Sequence, residues 1–309
     1  MIVGIGELLW DTFPDGRKVA GGAPFNFAFH CQQLGHEAAI VSRVGDDELG
    51  RELREEVKRL GMTDEFIQTD FEHPTGTVRV AVDDGGQPSY EIVTDVAWDN
   101  LSSSPDLDSL ATRASAMCFG SLAQRAATTR HTIRRCVDLA RQSNQLLVCD
   151  INIRKPFVER EILLWCQEHC DWLKMSEDDH PTHRNYFANY LWENSMPIII
   201  FTCGAAGALL VGVTADCRDP NYSFIVPAVP TTVVDTVGAG DAFTAAMVCL
   251  HLEGRPLQEC ARFANCYAAR VCEFQGGTPR IDRRDVERTA SSAGNRQTSQ
   301  ARPKRATGL

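Results

Sequence analysis

Hydrophobic residues along this chain fall into short runs of two kinds. The first kind is apolar without alternation: Ile2 to Glu7, AAIVSRVG at 38–45, and runs at 115–120, 146–151, 171–175, 197–202 and 207–212. Such runs read as strands buried on both faces. Between them lie segments of helical period, DDELGRELREEVKRLG at 46–61 and stretches near 126–143, 158–169, 239–253 and 256–274. GGAPFNFAFHCQQLG at 21–35 predicts a helix with Pro24 at its start and Gly35 at its end. The second kind alternates. TVRVAVDD and PSYEIV, around Gly85-Gly86, each keep one polar face, which predicts a hairpin set apart from the parallel core. Strands that alternate with helices predict an α/β fold, a mostly parallel sheet with helices on both faces. Residues 289–309, rich in Ser, Gln, Ala and Arg, are expected to form a disordered tail.

Composition narrows the function. With 309 residues, 43% hydrophobic and 23% charged, the chain is long and apolar enough for one large α/β domain or two small ones. A net charge of −10 argues against a general nucleic-acid binder, which needs a basic face. The 12 cysteines include no CxxC pair. They read as small buried hydrophobes in a reducing cytosol, so the expected location is cytoplasmic and no zinc site is expected. The first ten residues have no basic region and carry Glu7, so no signal peptide is expected. Ser195 to Ala215 is uncharged, but Pro197, Gly204, Gly207 and Gly212 interrupt it, which favours a strand pair over a membrane span.

Two segments carry candidate chemistry. In VVDTVGAGDAFTAAMVCL, residues 233–250, an apolar stretch leads through Gly238-Ala239-Gly240-Asp241 into an apolar helix. The unpaired N–H groups of a glycine-rich helix start make an anion site. Asp241 in the same turn suits a general base beside a transferring phosphoryl, or else a simple helix-stabilising Asp. In the other segment, Gly21 and Gly22 precede a helix with Asn26 one turn in and Asp11 upstream. An amide and a carboxylate at a glycine turn suit a polyol, or else a tight turn and its cap. No GxxxxGK[ST] or GxSxG occurs, and GIGELL lacks the third glycine of a dinucleotide site.

Together these segments resemble the ribokinase, or PfkB, family of carbohydrate kinases. GGAPFNFAFHCQQLGHEAAIVSRVGDDELG is similar to its N-terminal signature and DTVGAGDAFTAA to its C-terminal one. The resemblance implies a Rossmann-like core over residues 1–288 with a small β lid from about 9–20 and 72–99. It implies Asp241 as catalytic base, Gly238, Ala239 and Gly240 as anion hole, and Asp11, Gly21, Gly22 and Asn26 around the sugar. Ser176, Thr202, Gly204, Gly207 and Asn265 would lie by the nucleotide, with Gly276-Gly277 closing that pocket. Mg²⁺-ATP would be the donor, with Asp235 near a monovalent-cation (K⁺) site.

GELLWDTFPDG, GGAPFN and DINIR are similar to fructokinases, which implies fructose as acceptor and an Asp-x-Asn-x-Arg element, here Asp150, Asn152 and Arg154, that follows a central strand and reaches the active site. Arg154 is either a cation for substrate or phosphate, or a surface residue after a strand. The family's Asn-x-x-Glu motif reads Ser176-Glu177-Asp178-Asp179 here, which makes Asp179 the candidate for Mg²⁺. Trp98 packs either on the sugar or on the lid base. Family members often dimerise through the lid, so a homodimer is expected. Ribose, nucleoside and 2-keto-3-deoxygluconate kinases of the same family, and a non-catalytic sugar binder, remain alternatives.

Overall fold

Alternate residues of the central strands enter two different cores, which is why those strands read as unbroken apolar runs. A computed structural model describes residues 1–82, 88–157, 159–177, 179, 198–212 and 223–298. Its strands are β1 (Ile2–Ile5), β2 (Leu9–Thr12), β3 (Lys18–Gly21), β4 (Ala38–Gly45), β5 (Ile67–Asp70), β6 (Thr77–Val82) and β7 (Pro88–Ile92). They continue as β8 (Ala116–Gly120), β9 (Leu146–Asp150), β10 (Trp172–Ser176), β11 (Ile198–Thr202), β12 (Ala208–Val211) and β13 (Ser223–Val226). The helices are α1 (Ala23–Gln33), α2 (Glu48–Arg59), α3 (Pro105–Arg113), α4 (Ala127–Gln142), α5 (Arg160–Glu168), α6 (Ala239–Leu252), α7 (Leu257–Val271) and α8 (Arg283–Thr298).

The main sheet runs β13-β12-β11-β10-β9-β8-β1-β4-β5, parallel from β11 to β5 and antiparallel at the β11–β12–β13 edge. Val3, Phe119, Cys149 and Leu173 pack with Leu110 of α3, Ile133 of α4 and Ile162 of α5. Ile2, Cys118, Val148 and Trp172 face the opposite side, with Phe27 of α1, Phe243 of α6 and Tyr267 of α7. This covering of both faces is what a parallel sheet requires.

A second sheet, β3-β2-β6-β7, joins the two hairpins through a parallel β2–β6 pairing. The period-two pattern of β6 and β7 thus marks the set-apart element expected from the sequence. Its base is anchored by Trp98, which is fully buried in the main core rather than turned to a ligand. Arg125 lies 4.0 Å over the Trp98 ring and 4.5 Å over that of Phe157. The same guanidinium makes two 2.8 Å bonds to Asp99 and donates to the Val93 carbonyl at 2.7 Å.

The expected disordered tail is corrected in part. Helix α8 continues through residue 289 to Thr298, and residues 299–309 lie outside the described ones. Asp282 caps its start by accepting from Arg284 N, and fully buried Val286 docks it on the core that holds Phe243 and Tyr267. One docked turn is enough to propagate helix through good helix formers such as Arg288 and Ala290.

Replacing Arg125 by Met leaves Asp99 buried without its partner. We expect a loss of about 3–5 kcal/mol of stability, measured by urea unfolding.

Candidate active site

The strand ends at one edge of the sheet bring charged residues together under the start of α6. Glu7 follows β1, Asp150 closes β9, and Lys174 of β10 is paired in register with Asp150. Two-residue periodicity puts Asp150 and Lys174 on the side of Val148 and Trp172, facing α6. Helix α6 starts from Gly238 with φ +74°. Glycine is required there twice over, because a β-carbon would also lie 2.6 Å from the Cα of Gly277. At Gly240 a β-carbon would lie 2.8 Å from Lys174 Nζ. Asp241 stands in this first turn.

Glu7, Cys118, Asp150, Asn152, Asp241 and Thr244 line one cavity. Asn26 Nδ2 donates to Asp241 Oδ2 at 2.8 Å, and Asn26 Oδ1 is buried without a partner. Burial, reinforced by the Asp150 charge, raises Asp241 to about 6, against Lys174, the Asn26 hydrogen bond and Arg154. Burial pushes Glu7 up to about 7, although its own and Ala23's N–H groups favour the charged form. Glu7 Oε2 has no partner. Asp11 is pushed up to about 6, by burial and by Asp235, with Arg154 opposing. Lys174 Nζ donates to both Asp150 oxygens, at 3.0 and 3.2 Å. Asp150 still rises, since burial outweighs the lysine.

The sequence-predicted residues divide into two sets. Asp11, Gly21, Gly22, Asn26, Asn152, Arg154, Gly238, Ala239, Gly240 and Asp241 gather around or beside the cavity. Backbone geometry explains the diglycine: a β-carbon at 21 would meet Asp11 Oδ2 at 2.7 Å, and one at 22 the Glu7 carbonyl at 2.2 Å. Asn152 has φ +41°, so the DINIR segment bends as it leaves β9. Arg154 is exposed, yet its charge acts on Glu7, Asp11, Asp150 and Asp241.

The second set sits farther along the sheet edge. Ser176 and Thr202 end neighbouring strands in register. Gly204 has φ +45° and Gly207 has φ +100°, and a β-carbon at 207 would meet the Val226 carbonyl at 2.1 Å. Asn265 Nδ2 donates to the carbonyls of Val226 and Pro227, so its amide braces the end of β13.

Two expected ion ligands are occupied otherwise. Asp179 accepts from Ile153 N through Oδ1, and from Ser176 N and Oγ through Oδ2, each at 2.8 Å. It therefore holds the DINIR segment against the end of β10. Asp235 accepts from Val237 N at 3.0 Å and Gly276 N at 2.9 Å, which fixes the loop facing Asn26. That loop has a second tether, His30 Nε2 at 2.9 Å from the Gly277 carbonyl. His30 Nδ1 lies 3.0 Å from the Tyr267 hydroxyl, which accepts from Gln33 Nε2.

Glu7 and Lys174 are the residues that sequence reasoning missed. Each had a signal: an ionisable group inside an otherwise apolar run that predicts a buried strand.

A family model described as pfkB family carbohydrate kinase matches residues 10–283. The chain is 30% identical over 302 residues to an uncharacterized sugar kinase of Pyrococcus horikoshii, covering 91% of this chain and 94% of that one. It is 27% identical to fructokinase-1 of Oryza sativa subsp. japonica, covering 91% and 94%. The crystal structure of the Pyrococcus protein in complex with ATP matches with a TM-score of 0.79, at 28% identity and over 95% and 100% of the two chains. A fructokinase of Xylella fastidiosa with bound ATP shares the fold, with a TM-score of 0.80 at 20% identity over 96% and 98%.

The raised Glu7 carboxyl has a thermodynamic consequence. Its folded form holds a proton that the unfolded chain releases at lower pH, so stability is lost as pH rises from about 4.5 towards 7. Glu7→Gln removes that loss. Its melting temperature relative to the parent should therefore be higher at pH 8 than at pH 5, measured by thermal unfolding at both.

Proposed function

The chain belongs to the pfkB family of carbohydrate kinases, and on that premise we propose that it transfers the γ-phosphoryl of ATP to a hydroxyl of a small sugar, with fructose the first acceptor. The observation that carries this reading is the placement of Asp241. It lies in the first turn of α6, at the cavity, oriented by Asn26 at 2.8 Å. A proton acceptor and the N–H groups of a helix start then share one place, although the Ala239 N–H also donates to the Thr236 carbonyl at 3.3 Å.

In this reading Asp11, Arg154 and the free Oδ1 of Asn26 hold sugar hydroxyls, while Gly21 and Gly22 let the backbone come close. The acceptor hydroxyl passes its proton to Asp241 as its oxygen bonds to the γ-phosphorus. The bond from that phosphorus to the bridging oxygen breaks, and ADP leaves. The N–H groups at Gly238, Ala239 and Gly240 stabilise the charge that builds on the phosphoryl oxygens. Gly204, Gly207 and Asn265 brace the strand ends beside which the nucleotide lies. The small sheet closes over the sugar and keeps water from accepting the phosphoryl.

Mg²⁺ would neutralise charge on the ATP phosphates, keeping most of its waters. Among the described residues no group of three His, Cys, Asp or Glu converges to hold a metal, and Asp179 is committed elsewhere, so no step is routed through a protein-bound ion. Asp235 is likewise spent on its loop, and no step uses K⁺. Tyr90, 60% exposed on β7, supports pairing of two copies through the small sheet.

The test is ADP release from Mg²⁺-ATP across a panel of sugars and nucleosides. Fructose should give turnover, and Asp241→Ala should lower kcat by at least ~10²-fold. Turnover by that variant near the parent's would remove Asp241 as base. Turnover with another sugar alone would discard fructose.

A base must be unprotonated to act, and Asp241 is raised to about 6. The parent's kcat/KM should therefore fall as pH drops through about 6 and level off above it, read from a pH–rate profile.

A further inference from the structure

Three carboxyls, Glu7, Asp150 and Asp241, line the cavity, and the charges of Lys174 and Arg154 act on them. Asp241 is faced by Asp150 from β9, Lys174 from β10, Glu7 from the segment after β1 and Arg154 from the segment after β9. Helix α1 adds the Asn26 amide, and β8 adds the Cys118 thiol. Within this group the charge of Lys174 acts on both Asp150 and Asp241. Its Nζ lies 3.0 and 3.2 Å from the Asp150 oxygens, and both side chains are only 6% exposed. The same Nζ would touch a β-carbon on Gly240, the residue just before Asp241.

A buried ion pair is a poor device for stability, because desolvating both charges offsets most of their attraction. Its position suggests another purpose. An ammonium bound to Asp241 would hold that carboxylate in its charged form and weaken it as a proton acceptor. We infer that Asp150 is a positioning residue: it engages Lys174 so that the ammonium does not capture Asp241, and thereby keeps Asp241 a competent base. The inference rests on the general-base reading for its catalytic consequence. Asp150 also repels Asp241 directly and so raises its carboxyl, while Lys174 lowers it, and only a variant that removes Lys174 as well separates the two effects.

The test compares the parent with Asp150→Asn, with Asp150→Asn/Lys174→Met and with Asp241→Asn. Two readouts are taken. One is the pH profile of kcat/KM with the accepted sugar. The other is titration of the Asp241 carboxyl by NMR in protein carrying ¹³C-aspartate, the resonance being the one missing in Asp241→Asn. Asp150→Asn should move the acid midpoint, in both readouts, down by ~1 pH unit or more, because Lys174 is then unopposed beside Asp241. Adding Lys174→Met should bring the midpoint back to the parent's.

An unmoved midpoint in Asp150→Asn, or a shift that survives Lys174→Met, overturns the inference. A merely structural role would lower the plateau rate in both variants and leave the midpoint in place. Where Asp150→Asn does not fold, Asp150→Ser replaces it. Near-parental turnover by Asp241→Asn defeats the general-base reading alone, and the NMR titration then still decides whether Asp150 and Lys174 set the proton affinity of Asp241.

Discussion

Three segments far apart in the chain meet at Gly277, which has no side chain to hold them apart. The start of α6 approaches so closely that a β-carbon on Gly238 would lie 2.6 Å from Gly277 Cα. On the other side, a β-carbon on Gly277 would lie 2.8 Å from the Asn26 amide. This close contact, backbone to backbone with α6 and backbone to the Asn26 amide on α1, fixes α6 relative to α1 and so lets Asn26 reach Asp241. With α6 seated there, Gly240 comes against Lys174, and the strand-end charges fall beneath the first turn. The glycines at 238, 240 and 277 thus do in space what their spacing in the sequence only hinted at.

Much of the architecture could be read from the chain because a parallel sheet writes itself plainly. Strands covered on both faces are continuous apolar runs, and β1, β4, β8 to β12 lie within a residue or two of the expected runs. The strands that escaped notice are short ones at the two edges of the sheet. β5 is the largely polar IQTD, and β13 is SFIV, only four residues long and mostly unburied. Helix α3 was not singled out, although Ser104 caps it and Pro105 opens it. The end of the chain misled for a different reason: residues 289–298 lack large apolar groups, but α8 is carried by the docked turn before them.

The candidate site was legible where chemistry needs glycine and blurred where it needs charge. Diglycine and GAGD stand out in one dimension. The Asp150–Lys174 contact does not, since 24 positions separate its members and only the β9–β10 register joins them. Glu7 is hidden in the same way, a carboxyl at the end of an apolar strand whose neighbours become apparent only on folding. Asp179 and Asp235 show a different ambiguity. Each matches a position where an ion is expected, and each accepts one backbone N–H from close by and one from a segment far away in the chain, Ile153 for Asp179 and Gly276 for Asp235. An acidic residue in a motif says that negative charge is wanted; it does not say by whom.

The His30 tether has a direction. The Gly277 carbonyl can only accept, so the ring nitrogen facing it, Nε2, carries the hydrogen. Burial holds His30 near 4, so the ring is neutral and Nδ1 is bare. Nδ1 must then accept from the Tyr267 hydroxyl, whose oxygen in turn accepts from Gln33. The relay runs one way, from Gln33 through Tyr267 and His30 to Gly277, and no member of it carries charge. Around the cavity, Glu7, Asp11 and Asp241 all change charge between about pH 6 and 7. The loop that faces them is moored by a line that takes no part in that titration, so the frame stays put while the charges within it change.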